Sequence, residues 1–153
     1  MRINRKLGAF GVLAGLCFTA GMAQAADDPV AVRKAIMSSV GAAAGLGGGM
    51  MKGGVDYSPA AGKAAIATMR AASLSFGAFF PEGTGEGDTG AAATIWDDAD
   101  GFAAELAKFS AATEQAAAAS GKDGPADLDS FKAAFGPVMG TCKSCHETYR
   151  KKN

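Results

Sequence analysis

The residues best suited to chemistry lie close together near the C-terminus, in the stretch GTCKSCHETYRKKN (140–153). Cys142, Cys145 and His146 form the pattern C-x-x-C-H, and His146 is the only histidine in the sequence. On a helix, residues three and four apart lie on the same side, so two thiols and one imidazole would face a single object. The pattern is typical of covalent haem attachment, in which each thiol adds to a vinyl group and the imidazole binds the iron.

Other interpretations of the motif fit the sequence less well. A zinc site needs about four ligands, whereas the motif offers two cysteines and one histidine, and no second cluster accompanies it. A thioredoxin-like redox pair usually begins a helix within a βαβ unit, and this motif comes late in a helical stretch. A structural disulfide would close a very short loop and restrain little of the unfolded chain. We therefore favour haem, with chance occurrence in a non-haem helical protein as a competing hypothesis.

The N-terminal 25 residues predict a secretory signal peptide. MRINRK supplies positive charge, an apolar run covers 7–23, and AQA (23–25) provides small residues at a cleavage site. A membrane anchor is the alternative, but the apolar run is marginal for spanning a bilayer. We therefore expect a domain at 26–153 that is periplasmic and has no stable membrane insertion. Export agrees with haem, because c-type attachment takes place outside the cytoplasmic membrane.

Composition excludes some functional classes. The signal contains three of the 15 basic residues and none of the 15 acidic ones. The mature chain therefore has a net charge of about −3. Without a basic excess, nucleic acid is not an expected partner. The glycine-rich stretches 45–54 and 83–90 lack the Lys-Ser/Thr ending of a phosphate site, so we interpret them as loops. No nucleophile–base pair or carboxylate dyad suggests catalysis, and we expect no enzyme activity.

Two helices are expected in the first half of the mature chain. Asp28-Pro29 and Ser58-Pro59 each place a capping residue before a proline, which is a typical helix start. The glycines of 45–54 are expected to end or fray the first helix. Pro81 and the polar loop behind it are expected to stop the second.

The second half predicts two further helices, over 91–120 and from about Asp127 onward. The last has an apolar stripe at spacings of three and four that runs into the two cysteines. No run of β-branched residues predicts a strand. The expected fold is therefore all-α, an antiparallel four-helix bundle with up-down-up-down order and one covalent haem. Haem would supply apolar surface that an alanine-rich core lacks.

The second axial ligand of the iron is not fixed by the residues themselves. The mature chain has five methionines: Met37, Met50, Met51, Met69 and Met139. Met139 lies seven residues before His146 on the same helix face, which is the wrong side of the porphyrin. Met50 and Met51 lie among glycines, where a ligand would be poorly positioned. Met37 and Met69 lie on apolar stripes, where methionine most often serves packing.

The sequence resembles the cytochrome c′ family, the class II c-type cytochromes, across the mature chain. The fold expected for that family is a four-helix bundle with C-x-x-C-H in its last helix. The stretches that carry the resemblance are RKAIM (33–37), FFP (79–81), IW (95–96), GPVMGTCKSCH (136–146) and Tyr149-Arg150.

The resemblance implies a ligand set and a function. In family members, the residue four positions after a first-helix arginine faces the vacant side of the haem. High-spin members usually have a nonpolar, non-ligating residue there, and low-spin relatives have methionine. Arg33 plus four is Met37, which implies a low-spin haem ligated by His146 and Met37 that carries single electrons. The alternative is a five-coordinate, high-spin haem that binds NO or CO.

The resemblance also assigns roles to three other side chains. Arg33 would pair with a haem propionate, Trp96 would pack near the haem, and Arg150 would lie over the haem edge. The ordinary alternatives are a solvated helix charge for Arg33 and core packing for Trp96. Redox partner proteins are the expected partners. The resemblance also implies a homodimer through the first two helices, and the small residues at 41–49 would permit the close approach that it needs.

Overall fold

The computed structural model describes residues 28–152. The expected signal peptide at 1–25 therefore lies outside the described residues. The helices are α1 (Pro29–Met51), α2 (Pro59–Ser75), α3 (Thr94–Asp97), α4 (Ala99–Ser120) and α5 (Leu128–Tyr149), and a 3-10 turn at Phe76–Phe79 follows α2. The four long helices form the bundle, with α1 against α2, α2 against α4 and α4 against α5. The all-α four-helix prediction is confirmed.

Three of the long helices begin where the sequence predicts, because a side chain caps each start. Asp28, Ser58 and Asp127 accept hydrogen bonds from backbone amides two or three residues ahead, at 2.9, 3.2 and 2.7 Å. Pro29 and Pro59 follow two of these caps as the first helical residues, where the missing N–H costs nothing.

The prediction that the glycines of 45–54 end or fray the first helix is wrong for most of that stretch. Helix α1 continues through them to Met51, and only the residues beyond form a turn. The reason is tertiary. A Cβ atom on Gly47 would lie 2.2 Å from Cε1 of Phe135, so glycine at this position lets α1 approach α5 closely. Packing of neighbouring helices therefore outweighs the conformational freedom of glycine.

The third helix, predicted over 91–120, is divided in two. The short helix α3 covers Thr94–Asp97, and α4 begins only at Ala99. Asp98 has φ −131° and ψ 61°, which lies outside the helical region, and its side chain caps α4 by accepting from the Gly101 amide. Before it, Ala91 forms an isolated antiparallel bridge with Arg150. Lys151 N–H donates to the Gly90 carbonyl at 2.8 Å, which completes the pairing. This pairing with the end of α5 holds residues 90–92 outside helical geometry.

The buried apolar residues form two separate groups. The main cluster consists of Ala43, Met50, Ala65, Ile66, Met69, Ala116, Phe131, Phe135 and Val138. The second cluster consists of Ala91, Ile95, Phe102 and Tyr149, with Phe80, Trp96, Leu106 and Cys145 packed against it. Phe131 and Phe135 are fully buried and stack with ring centroids 5.0 Å apart. No helix within residues 28–152 is both long and apolar enough to cross a membrane.

Candidate haem site

The C-x-x-C-H motif lies in the last two turns of α5. Phe131, Phe135 and Val138 anchor the same helix in the main cluster with no exposed surface. The two cysteines continue this stripe as half-buried, free thiols. His146 is exposed. The thiols thus lie at the edge of the core, where an apolar group could be attached and partly buried.

The ionisation of these groups follows from their surroundings. Burial raises the pKa of both thiols, and for Cys145 the negative charge of Glu105 adds to the effect. Partial desolvation and the positive charge of Arg150 lower the pKa of His146. A lowered pKa favours neutral imidazole, which is the form that binds a metal.

Arg33 lies at the same end of the bundle and is buried, with 5% of its surface exposed. Its guanidinium donates to the Thr84 hydroxyl at 3.1 Å, to the Thr84 carbonyl at 2.7 Å and to the Thr89 hydroxyl at 3.3 Å. It also lies 4.6 Å from the centroid of the Phe80 ring. Burial lowers its pKa, and the charge of Asp28 partly opposes this.

The hydrogen bonds of Arg33 are all to neutral oxygens. Among residues 28–152, no carboxylate forms an ion pair with it. A buried cation of this kind is stabilised by an anion. Arg33 is therefore not the solvated charge of the ordinary interpretation, and a propionate would complete its surroundings.

Trp96 lies near Arg33 and packs against the second cluster. Its Nε1 donates to the Phe80 carbonyl at 3.2 Å, and its ring lies 6.0 Å from the Arg33 guanidinium. Trp96 and Cys145 both pack against the second cluster. The structure therefore brings Arg33, Trp96 and Cys145 to one end of the bundle, although they are far apart in sequence.

The methionines separate clearly by packing. Met50 and Met69 are fully buried members of the main cluster, and Met51 and Met139 pack against it. The expectation that Met50 is poorly positioned is wrong, because α1 continues through the glycines and places it in the core. Of the five, all within the described residues, only Met37 belongs to neither cluster. It is half-buried and lies one helical turn after Arg33.

Arg150 lies on the exposed side of the motif. An open pocket of about 420 Å³ is lined by Lys143, His146, Glu147, Arg150, Lys151 and Lys152. The Lys151 side chain also donates a hydrogen bond to the Gly85 carbonyl at 3.1 Å. Arg150 thus accompanies His146 at the surface, and its position over a haem edge stays a prediction.

The alternatives to haem can be compared with this geometry. Within residues 28–152, no three His, Cys, Asp or Glu side chains converge as a zinc site requires. The cysteines occur near the C-terminal end of α5, not at a helix start where a thioredoxin-like thiol is activated. The raised thiol pKa values also argue against an activated redox pair.

Two polar pairs near the site were not anticipated from the sequence. Asp98 accepts a hydrogen bond from Tyr149 at 2.7 Å, which joins the start of α4 to the end of α5. Glu105 accepts a hydrogen bond from Ser144, inside the motif, at 2.7 Å. Single polar residues in helices give no sequence signal, because the partner lies on another helix.

The Asp98–Tyr149 pair predicts a loss of stability at alkaline pH. The hydrogen bond to Asp98 and burial raise the pKa of Tyr149 to about 12, from an ordinary value near 10. The folded chain retains this proton longer than the unfolded chain, so the contribution is complete below about pH 10 and is lost toward about pH 12. Guanidinium unfolding at about pH 9 and about pH 11.5 measures the loss.

Tyr149→Phe is the matched variant for this measurement. It should be less stable near neutral pH and show a weaker decline above about pH 10. The other tyrosine, Tyr57, has its pKa raised mainly by burial and serves as the control at Tyr57→Phe. An unchanged alkaline decline in Tyr149→Phe would contradict the assignment.

The residues present fit a covalently attached haem. Two half-buried thiols and an exposed imidazole project from one helix end, next to an aromatic cluster and a buried cation without a carboxylate partner. These features define a class: a four-helix-bundle protein with one c-type haem site.

Comparisons with known proteins agree with this class. The Cytochrome C′ family model matches residues 28–150. A cytochrome c′ from Rhodopseudomonas palustris is 38% identical over 133 residues, which is 86% of this chain and 88% of the relative. A cytochrome c-556 from Agrobacterium tumefaciens is 32% identical over 120 residues, 78% of this chain and 94% of the relative.

A solved structure supports the same assignment. The cytochrome c′ from Rhodopseudomonas palustris superposes with a TM-score of 0.72 at 35% identity, covering 82% of this chain and 98% of that one. The chain belongs to the cytochrome c′ family. The cofactor of this family is one covalently attached haem c, and Cys142 and Cys145 supply the matching C-x-x-C-H.

Proposed function

We propose that this chain is a haem protein that binds a diatomic gas, NO or CO, at a five-coordinate iron held by His146, and that the same iron exchanges single electrons. The observation that carries the proposal is the kinship with proteins named cytochrome c′ over nearly the whole domain. The sequence favoured His/Met ligation, whereas these relatives favour the five-coordinate alternative.

The chain's own residues support each part of this role. Cys142 and Cys145 would form the two thioether bonds, and neutral His146 would present its lone pair to the iron at physiological pH. Arg33, which is buried, would neutralise a haem propionate. When bound, haem supplies an iron that changes oxidation state by one electron and accepts a diatomic ligand at an open position.

A second candidate function is electron transfer by a six-coordinate haem with Met37 as the other ligand. The specific observation is that Met37 alone among the five methionines lies outside both apolar clusters. Its thioether is therefore not committed to core packing. A Met ligand would raise the potential and close the site to gases.

An optical spectrum of the purified holoprotein, with and without CO, separates the two candidates. The proposed function predicts a high-spin reduced spectrum that shifts on addition of CO. Met37→Ala should then stay high-spin and bind CO about threefold to tenfold more tightly, because a bulky side chain no longer covers the open face. Met51→Ala, on the same helix, is the control and should change neither property.

The opposite result would support the second candidate. In that case the wild-type protein would have a low-spin spectrum that does not change on addition of CO. The Met37→Ala variant would become high-spin and bind CO, which would establish Met37 as a ligand. That pair of results would overturn the five-coordinate proposal.

Location and assembly complete the proposal. The chain would act in the periplasm, without enzymatic turnover, and exchange electrons with redox partner proteins. A homodimer could form through α1 and α2, where Gly41, Gly45 and Leu46 are exposed and added Cβ atoms on the two glycines would meet nothing within 4 Å. Sedimentation equilibrium of the mature protein tests this, and a strictly monomeric species would contradict it.

A further inference from the structure

A carboxylate of α4 is held against the haem-attachment motif. Glu105 has only 12% of its side chain exposed. One of its oxygens accepts a hydrogen bond from the Ser144 hydroxyl at 2.7 Å, and the other accepts one from the Lys108 ammonium at 2.5 Å. Ser144 stands between the two cysteines of the motif, so this hydrogen bond fixes the carboxylate beside the site.

Glu105 is ionised at neutral pH, and its charge reaches the motif. Hydrogen bonds from Lys108 and Ser144 lower its pKa. The same charge contributes to the raised pKa of Tyr149, which lies in the cluster that Cys145 packs against. The end of α5 therefore lies within the electrostatic range of the carboxylate.

Lys108 does not cancel this charge completely. Its side chain is 63% exposed, whereas that of Glu105 is 12% exposed. Water and salt screen the exposed ammonium more strongly than the nearly buried carboxylate. The site therefore experiences a net negative field from the pair.

We propose that the fixed negative charge of Glu105 lowers the reduction potential of the haem attached at Cys145. Reduction adds one electron to ferric haem, with no bond formed or broken, and makes the group more negative by one unit. A fixed anion nearby opposes that change and stabilises the ferric state. The proposal rests on haem attachment at the motif and is independent of the sixth ligand.

Two variants of the Glu105–Lys108 ion pair test the proposal, because they should shift the reduction potential in opposite directions. Electrode titration of the holoprotein measures the equilibrium between ferric and ferrous haem. Glu105→Gln should shift it toward ferrous by about tenfold, which is about 59 mV for one electron. Lys108→Met should shift it in the opposite direction, by a smaller factor, because it leaves the carboxylate uncompensated. Both variants break the ion pair, so a purely structural role would not give opposite signs.

Ser144→Ala removes one hydrogen bond without changing charge and is the matched control. Its shift should be smaller than that of Glu105→Gln. Lys108→Met replaces an exposed side chain, so the direction of its potential shift still tests the proposal if Glu105→Gln does not yield folded holoprotein. Shifts in the same direction, reversed signs, or no shift above about twofold in either variant would overturn the proposal. None of these outcomes alters the CO test of the proposed function.

Discussion

Replacing both Cys142 and Cys145 with alanine is expected to abolish covalent haem attachment. The two thiols are free and half-buried at the edge of the core, and no other cysteine lies within residues 28–152. A c-type haem needs a thiol at each vinyl group, so the variant has nothing to form a thioether bond. Mass spectrometry of the secreted, denatured protein should give the mass of the bare mature polypeptide, and the extracted polypeptide should have no Soret band.

Lys143→Ala is the control for the double variant. Lys143 lies between the cysteines, is exposed and pairs only with Glu147, at 3.6 Å. Its removal should leave haem attachment complete. Haem that stays covalently bound in the double cysteine variant would refute the assigned attachment site.

Gly47→Ala is expected to destabilise the fold by about 1–3 kcal/mol, the usual cost of overpacking a core. A Cβ atom there would lie 2.2 Å from Cε1 of Phe135, a side chain with no exposed surface. The ring belongs to the main cluster and cannot move without displacing its neighbours. Guanidinium unfolding of the holoprotein, followed by far-UV circular dichroism, measures the change in the free energy of unfolding.

The neighbouring glycine gives the opposite expectation and serves as the control. An added Cβ on Gly48 would meet nothing within 4 Å. Gly48→Ala should therefore stabilise helix α1 by about 0.5–1 kcal/mol, because alanine loses less conformational entropy in a helix. Equal effects of the two substitutions would contradict the close approach of α1 to α5 at Gly47.

Several features of this chain depend only on residues close together in sequence. The pattern C-x-x-C-H is local, because its spacing places three groups on one side of a helix whatever the rest of the chain does. The caps at Asp28 and Ser58 are also local, since each side chain bonds to an amide within three residues. Local chemistry of this kind is complete in the sequence.

The contacts of Arg33, in contrast, could not be predicted from the local sequence. Resemblance suggested that Arg33 pairs with a propionate, but its burial and its hydrogen bonds to Thr84 and Thr89 depend on a loop more than 50 residues away. The same holds for Glu105, whose bond to Ser144 spans 39 positions. Neither partner can be chosen from spacing, since each helix could present its polar residues in several directions.

The sequence by itself determined the all-α class, the starts of α1, α2 and α5, and the haem-attachment motif, because each depends on interactions within a few residues. Only the tertiary structure decided that α1 continues through its glycines, that Asp98 divides the predicted third helix into α3 and α4, and that Met37 is the methionine outside the apolar clusters. The physical reason is that packing between helices outweighs local propensity wherever a ring, a backbone pair or a buried charge must find its partner.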